Sequence, residues 1–323
     1  RRTHTTIGWT CDWKVERRPA TMKTLAEELA ELPRELQAVL HAVAEAGNQV
    51  ASALRTASVQ EAGNTNAFGD NQLEVDLIAD KICFDRLRDS GVVAMASSEE
   101  QTDTIPLGGK GFCVAFDPLD GSSIISTDFA VGSIFGIWAG DAFEGQTGKD
   151  QVAAVYVVYG PRTVLVVGRP TGDGKEEIVQ EYTLHGEEWI LERDRLVVGS
   201  RKVFAPGNLR ASVENHRYGK LVEEFISEQY TLRYTGGMVP DVHHILSKGG
   251  GVFMYASSPS CPAKLRLLFE SAPLARIVEM AGGASSDGRG SILDIKITGT
   301  DAKTPVFLGS KSEAAKCEKA LAS

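Results

Sequence analysis

The chain has 323 residues, 42% of them hydrophobic, and a formal net charge of −9 at pH 7. That length supports one large domain or two medium ones with a sizeable core, and the acidic balance argues against a nucleic-acid binder. No apolar run approaches the length of a membrane span, and the five cysteines (Cys11, Cys83, Cys113, Cys261, Cys317) include no Cys-x-x-Cys pair, which gives neither a zinc site nor a disulfide framework and suits a reducing compartment.

Residues 1–23 read as an arm or extension. Arg1, Arg2, Lys14, Arg17 and Arg18 stand against only Asp12 and Glu16. Such a stretch could be a trimmed targeting segment, an expression remnant or a docked arm, and Met22 could be an initiator. Leu25, Leu29 and Leu32 then lead to Pro33, which suits the first turn of a helix with Leu36, Val39, Leu40, Val43, Val50 and Leu54 on its apolar face. The polar, glycine-containing stretch Glu61 to Gly69 reads as a mobile loop. Asp70 to Asp76 leads into a helix through Leu77, Ile78, Ile82, Phe84 and Leu87.

Strands follow at Val92 to Ala96, Phe112 to Phe116, Ser133 to Ala139, Val152 to Tyr159, Thr163 to Val167, Ile178 to Leu184 and Leu196 to Gly199, with Gly160-Pro161-Arg162 as a hairpin turn. Elements then alternate. The pattern predicts a helix near Tyr218 to Glu228, a strand near Thr231 to Tyr234, a helix after Pro240 and a strand from Val252 to Tyr255. A helix from Ala263 to Ala281, kinked at Pro273 and capped by Gly282-Gly283, comes next. A strand near Ile292 to Ile297, a short run at Val306 and a helix from Ser310 close the chain. This order predicts a layered α/β fold with two mixed sheets.

One stretch gathers the chemistry: Asp117-Pro118-Leu119-Asp120-Gly121-Ser122-Ser123. The strand before it is expected to end at Asp117, because Pro118 cannot continue a ladder and forces a turn. Two carboxylates three positions apart can then converge with the Leu119 carbonyl, as hard cations such as Mg²⁺ require. The amides of Gly121, Ser122 and Ser123 can form an anion nest beside them. A dication next to a phosphate cradle makes a phosphoryl-transfer site. Taken alone, such a stretch is also an ordinary turn. Two further acidic positions tilt the balance: Glu99-Glu100 after an apolar run, and Glu270 alone in an apolar segment. Glu74 and Asp80 read as solvated helix acids, with Asp80 a rival for a site role. His243-His244 reads as a solvated pair.

Phe116 to Ser123, Glu99-Glu100 and Lys264 to Glu270 together resemble the sugar bisphosphatases, of the metal-dependent, lithium-sensitive phosphatases. The resemblance runs from about Leu25 to the C-terminus. Gly121 to Ile125, Pro206 to Ala211 and Tyr230 to Val242 point to the sedoheptulose-1,7-bisphosphatase branch of the fructose-1,6-bisphosphatase family. The resemblance implies a five-layer αβαβα fold in two halves, about 24–195 and 196–323, with two or three Mg²⁺ ions. Asp70, Glu99, Asp117, the Leu119 carbonyl, Asp120 and Glu270 match its metal ligands. Asp76 with Glu100 resembles the pair that activates the attacking water, and Asp120 is counted with them among the catalytic groups. Gly121, Ser122 and Ser123 match the phosphate cradle. Asn208, Arg233, Tyr234, Tyr255 and Lys264 match groups that hold the sugar and its distal phosphate. Lys264 is expected at a helix start, where a bound anion would offset the unfavourable dipole.

In the family the arginine reaches across from a neighbouring subunit, which implies a homodimer or, alternatively, a homotetramer. The compartment implied is the cytoplasm, with the plastid stroma as the alternative. Plant members carry a Cys-Gly-Gly-Thr-Ala-Cys stretch before the metal loop, whereas Gln60 to Phe68 holds no cysteine. An inositol-type monophosphatase would share the metal acids without needing Arg233, Tyr255 and Lys264. Fructose 1,6-bisphosphate differs from the seven-carbon substrate by one hydroxymethylene. A non-catalytic sugar-phosphate sensor would not need a full cation cluster.

Overall fold

The computed structural model describes residues 22–58, 61–65, 71–101 and 103–322, so Asp70 and residues 1–21 of the arm lie outside the described residues. A short hairpin, β1 (Glu61–Thr65) and β2 (Asn71–Leu73), precedes the main sheet. That sheet comprises β3 (Val93–Ser98), β4 (Ile105–Pro106), β5 (Phe112–Asp120), β6 (Val131–Ala139), β7 (Gln151–Tyr159), β8 (Thr163–Pro170), β9 (Glu177–His185) and β10 (Glu188–Arg193). Its order is β10-β9-β8-β7-β6-β5-β3-β4, an antiparallel meander from β5 to β10 with β3 parallel to β5. A second mixed sheet holds β11 (Val203–Gly207), β12 (Thr231–Leu232), β13 (Val252–Tyr255), β14 (Ala284–Ser286) and β15 (Val306–Gly309), in the order β12-β11-β13-β15-β14.

The helices are α1 (Leu25–Leu29), α2 (Arg34–Leu54), α3 (Glu74–Asp89), α4 (Ser122–Ile125), α5 (His216–Ser227), α6 (Met238–Lys248), α7 (Ala272–Met280) and α8 (Lys311–Ala322). No helix among the described residues is long and apolar enough to cross a membrane.

Alternation along the strands sorts the side chains into layers. Val114, Phe116, Val155, Val157 and Leu165 face α2 and α3, where they meet Val39, Val43, Cys83, Phe84 and Leu87. The opposite face, Ile134, Tyr156, Val166 and Val179, packs on α6 and α7 through Val242, Ile245, Leu274 and Ile277. Ala205, Phe253 and Leu308 of the second sheet close that layer from the other side. Their strand neighbours Phe204, Val252, Met254 and Phe307 turn outward onto Tyr218, Leu221 and Phe225 of α5 and Cys317 of α8. The result is the αβαβα layering. Phe116 stacks on Phe135 (ring centroids 5.7 Å apart) and meets Phe84 edge-on (5.1 Å), which pins α3 to β5 and sets where its acids lie. Each such ring contributes about 1.5–3 kcal/mol by burial.

Several elements differ from the sequence reading. β5 does not stop at Asp117: Asp117 pairs with Ile134 and Asp120 with Gly132, so β5 carries one extra residue there, a β-bulge. Pro118 sits in that bulge, where its missing N–H costs no ladder bond. Glu61–Thr65 is not loop but pairs with β2. Leu196 to Gly199 is extended yet belongs to no sheet. Its amides bond to Val179, Ala281 and Gly249 carbonyls in turn (2.7, 2.8 and 3.0 Å), three different segments. The helix expected from Ala263 begins only at Leu267, as a π-turn (Leu267–Ser271). Pro273 falls in the first turn of α7, where it needs no kink. Ile292 to Ile297 is a 3₁₀ turn and loop rather than a strand, and β14 supplies the edge instead.

Candidate active site

The bulge is where the acids meet. β3 lies parallel to β5, and the Glu99 amide donates to the Phe116 carbonyl (3.1 Å), so both strands deliver an acid at the same level. Asp117 accepts from the Leu119 amide (2.9 Å), and Ser133 Oγ donates to the Pro118 carbonyl (2.7 Å), which fixes the bulge. Glu270 arrives from the π-turn, its Oε2 accepting from the Arg266 amide at 2.5 Å. One carboxylate oxygen each from Glu99, Asp117 and Glu270 lie within 4.8 Å of one another.

Asp120 is held differently. Its two oxygens accept from the Met238 and Val239 amides (3.1 and 2.6 Å) at the N-terminus of α6. The helix can come this close because residue 132 is glycine: a Cβ there would stand 2.4 Å from Val239 Cγ1. Each Asp120 oxygen keeps a second lone pair, so capping α6 does not prevent it from ligating a cation.

Asp76, in the first turn of α3, is 2% exposed. Its Oδ2 accepts from the Leu73 amide (2.9 Å), while its buried Oδ1 has no partner among the described residues. Glu100 stands one residue beyond Glu99, its amide donating to Ser98 Oγ (3.1 Å), and its charge acts on Glu99. Asp80 is buried and accepts from Gln101 Nε2 (2.7 Å), so it is not the solvated acid its sequence suggests.

Burial pushes the carboxyl pKa values up, and like charges nearby add to the rise of Glu99, Asp117, Glu270 and Asp76, whereas the Met238 and Val239 amides work against that of Asp120. Glu99 rises to about 7, and Asp76 and Asp120 to about 6. Asp117 and Glu270 are driven well above the usual carboxylate range. Among the described residues one positive charge lies with them: the buried Arg266 guanidinium, which pairs with Glu99 Oε1 through Nη1. Sequence reading passes over Arg266, although an arginine four residues before a lone acid in an apolar run was an available signal. With four buried carboxylates and the half-buried Glu99 against one arginine, and an orphaned oxygen on Asp76, the residues fit a cluster of hard cations.

Next to the acids, Gly121 takes a left-handed φ of +84° and opens α4, and the Ile124 amide bonds to its carbonyl (2.9 Å). A Cβ at 121 would also come to 3.4 Å from Gly237 Cα. Ser122 is half-buried and Ser123 exposed.

A second group forms at the ends of β11 and β13. Tyr255 and Tyr234 flank Gly207, where a Cβ would stand 2.7 and 3.3 Å from their rings. Asn208, at φ +47°, spends its amide on the Ala256 and Cys261 carbonyls (2.8 and 3.0 Å), tying that loop rather than reaching out of it. Arg210 lies two residues on. Burial raises Tyr234 to about 12, and the Arg210 charge works against that rise, as it does for Tyr255. Sequence reading gives Arg210 no role. Lys264 is exposed and precedes the π-turn, so it does not sit at a helix start. Arg233 is exposed beside edge strand β12, with Nη1 on the Leu232 carbonyl (2.7 Å). Nor is His243 solvated: its ring nitrogens meet the Tyr156 hydroxyl (2.9 Å) and Ser247 Oγ (3.1 Å), and burial lowers its pKa to about 4.

Comparison with known proteins agrees with this geometry. The fructose-1-6-bisphosphatase N-terminal domain matches residues 21–193 and the C-terminal domain residues 197–322. The chloroplastic sedoheptulose-1,7-bisphosphatase of Triticum aestivum is 48% identical over 286 residues, covering 88% of this chain and 72% of that protein. The class 1 fructose-1,6-bisphosphatase of Trichlorobacter lovleyi is 41% identical, covering 86% and 88%. The crystal structure of Leishmania major fructose-1,6-bisphosphatase in its holo form superposes with a TM-score of 0.86 at 29% identity, covering 93% of this chain and 99% of that one. The chain belongs to the fructose-1,6-bisphosphatase family.

Proposed function

We propose that the chain removes the 1-phosphate of sedoheptulose 1,7-bisphosphate, giving sedoheptulose 7-phosphate and phosphate, with Mg²⁺ as cofactor. One observation carries this reading: Glu99, Asp117 and Glu270 converge beside the Gly121 turn in a chain whose wheat relative bears that enzyme name. Glu99, Asp117, Asp120, Glu270, the Leu119 carbonyl and Asp70 would hold two or three ions. Mg²⁺ bound there supplies charge neutralisation for the phosphate and polarises its oxygens. Asp76, with its raised pKa and unpartnered Oδ1, takes the proton from the attacking water, and Glu100 shares that load. Gly121, Ser122 and Ser123 receive the phosphoryl oxygens.

At the other end Tyr234, Tyr255, Lys264 and Arg210 surround the distal phosphate, and Asn208 braces the loop that carries Arg210. Arg233, exposed at an edge strand, reaches into the site of a second copy in a homodimer, with a homotetramer the alternative. The wheat relative's name gives the chloroplast as its location, which favours the plastid stroma over the cytoplasm for this chain.

Phosphate release with Mg²⁺ from the seven-carbon and six-carbon bisphosphates tests the reading. The seven-carbon sugar is expected to show the higher kcat/KM. A reversed ratio favours the fructose enzyme, a reading supported by the 41% identity to the class 1 relative. No release from either points to a sensor.

A further inference from the structure

A cavity of about 930 Å³ opens where the end of α2, the loop after α4, the β7–β8 turn and the β9–β10 turn meet. None of the clustered acids lines it. Arg55, at the end of α2, is exposed and makes no side-chain hydrogen bond or ion pair among the described residues. The Asp128 carboxylate is likewise unpartnered, on a residue held at φ +62°. Arg162 meets Glu192 at 3.6 Å, both largely exposed, a pair weak enough to exchange partners. Phe129 presents its ring to solvent, 53% exposed.

A buried hydrogen-bond chain leads from this cavity to the acid cluster. Tyr159 lines the cavity, and its hydroxyl lies 2.7 Å from Ser133 Oγ. Ser133 Oγ also lies 2.7 Å from the Pro118 carbonyl, an acceptor only, so the serine proton goes there. Tyr159 is therefore the donor to Ser133. The chain Tyr159–Ser133–Pro118 ends between Asp117 and Leu119, inside the bulge.

We infer that the cavity is a second binding site, for a phosphorylated sugar, linked to the acid cluster through Tyr159, Ser133 and Pro118. A simple anion would leave Asp128 and Glu192 unanswered, and a cation would leave Arg55 and Arg162 so. A phosphate monoester on a hydroxylated ring satisfies both: its phosphate accepts from the guanidiniums, its hydroxyls donate to the carboxylates, and its C–H face covers Phe129.

Calorimetric titration of the whole protein without Mg²⁺, at two temperatures, tests the site with ribose 5-phosphate as probe and ribose as control. Ribose 5-phosphate should bind and ribose should not. Arg55→Ala, a change at an exposed position, should weaken binding about tenfold or more, while Asp117→Asn should leave it in place. No binding by the native protein, equal affinity in Arg55→Ala, or loss in Asp117→Asn would overturn the site. Mg²⁺ titrations with and without saturating ribose 5-phosphate test the link, because coupling between two sites is reciprocal. Mg²⁺ affinity should shift in the native protein and stay fixed in Tyr159→Phe, with Ser133→Ala cutting the chain at its middle. An unshifted native protein, or the same shift in both variants, would refute the link.

Discussion

In the acid cluster, backbone groups do the holding. Asp117, Asp120, Glu270 and Asp76 are each buried and each accept from at least one main-chain amide. Where the distal phosphate is proposed to bind, side chains stand on loops and edges: Arg210, Arg233 and Lys264 are all exposed, and among the described residues only the Arg233 guanidinium has a main-chain partner, the carbonyl of its own neighbour Leu232. The contrast separates two tasks. Reaction needs fixed charge at one point, which a strand bulge, a π-turn and a helix start supply together. The recognition proposed for the exposed group, of a sugar one carbon longer or shorter, tolerates longer, looser reach.

The cluster should therefore respond steeply. Asp117→Asn or Asp120→Asn is expected to lower turnover about a hundredfold or more. A variant that keeps over about a tenth of native turnover would contradict direct participation. Proton uptake sharpens the same point. Asp76, Asp120 and Glu99 hold protons more tightly folded (about 6, 6 and 7) than in an unfolded chain. Their contribution to stability is thus full at low pH and lost as pH rises through the folded values. Without Mg²⁺ the melting temperature should fall by about 5 °C or more between about pH 4 and 7, and Mg²⁺ should restore it above that range. A flat profile would mean the acids are solvated.

The pocket should respond by degrees. Arg233→Ala is expected to raise KM about tenfold while sparing the Mg²⁺ requirement. Mixed oligomers of Arg233→Ala and Asp120→Asn subunits should regain partial activity, since each mixed pair rebuilds one complete site. Failure of that rescue would return Arg233 to its own subunit. Arg210→Ala should lower kcat/KM for the seven-carbon substrate by about threefold to tenfold through KM, and narrow its lead over the six-carbon one. An unchanged ratio would remove Arg210 from recognition. A dithiol reductant should change nothing. Gln60 to Phe68 has no cysteine, and Cys83, Cys113, Cys261 and Cys317 are all free thiols. Marked activation by reductant would expose a distant pair.

How far each region could be read from sequence follows the same division. Glu99, Asp117 and Asp120 are legible because they sit in short motifs at strand ends, where local chemistry and position coincide. What Asp120 touches is not legible, because its partners Met238 and Val239 come from α6, far along the chain. The π-turn that presents Glu270 has no sequence signature, so Pro273 reads as a kink when it opens a new helix. Leu196 and Val198 are buried while Val197 is 58% exposed, a strand's alternation, yet their hydrogen bonds scatter over three segments. Periodicity reports burial on alternate sides; it does not report a ladder.

A position with no functional group governs one of the clustered acids. At Gly132 an added methyl would press on Val239 Cγ1 at 2.4 Å, on its Cβ at 2.6 Å and on the Val157 carbonyl at 2.7 Å, none of them the loose end of a long side chain. The strand is fixed in the middle of a sheet, so the helix would have to lift. The two amides that grip Asp120 would lift with it, and the carboxylate would lose its orientation though its own residue was untouched. The orientation of the Asp120 carboxylate therefore depends on keeping a hydrogen atom, and nothing larger, at residue 132.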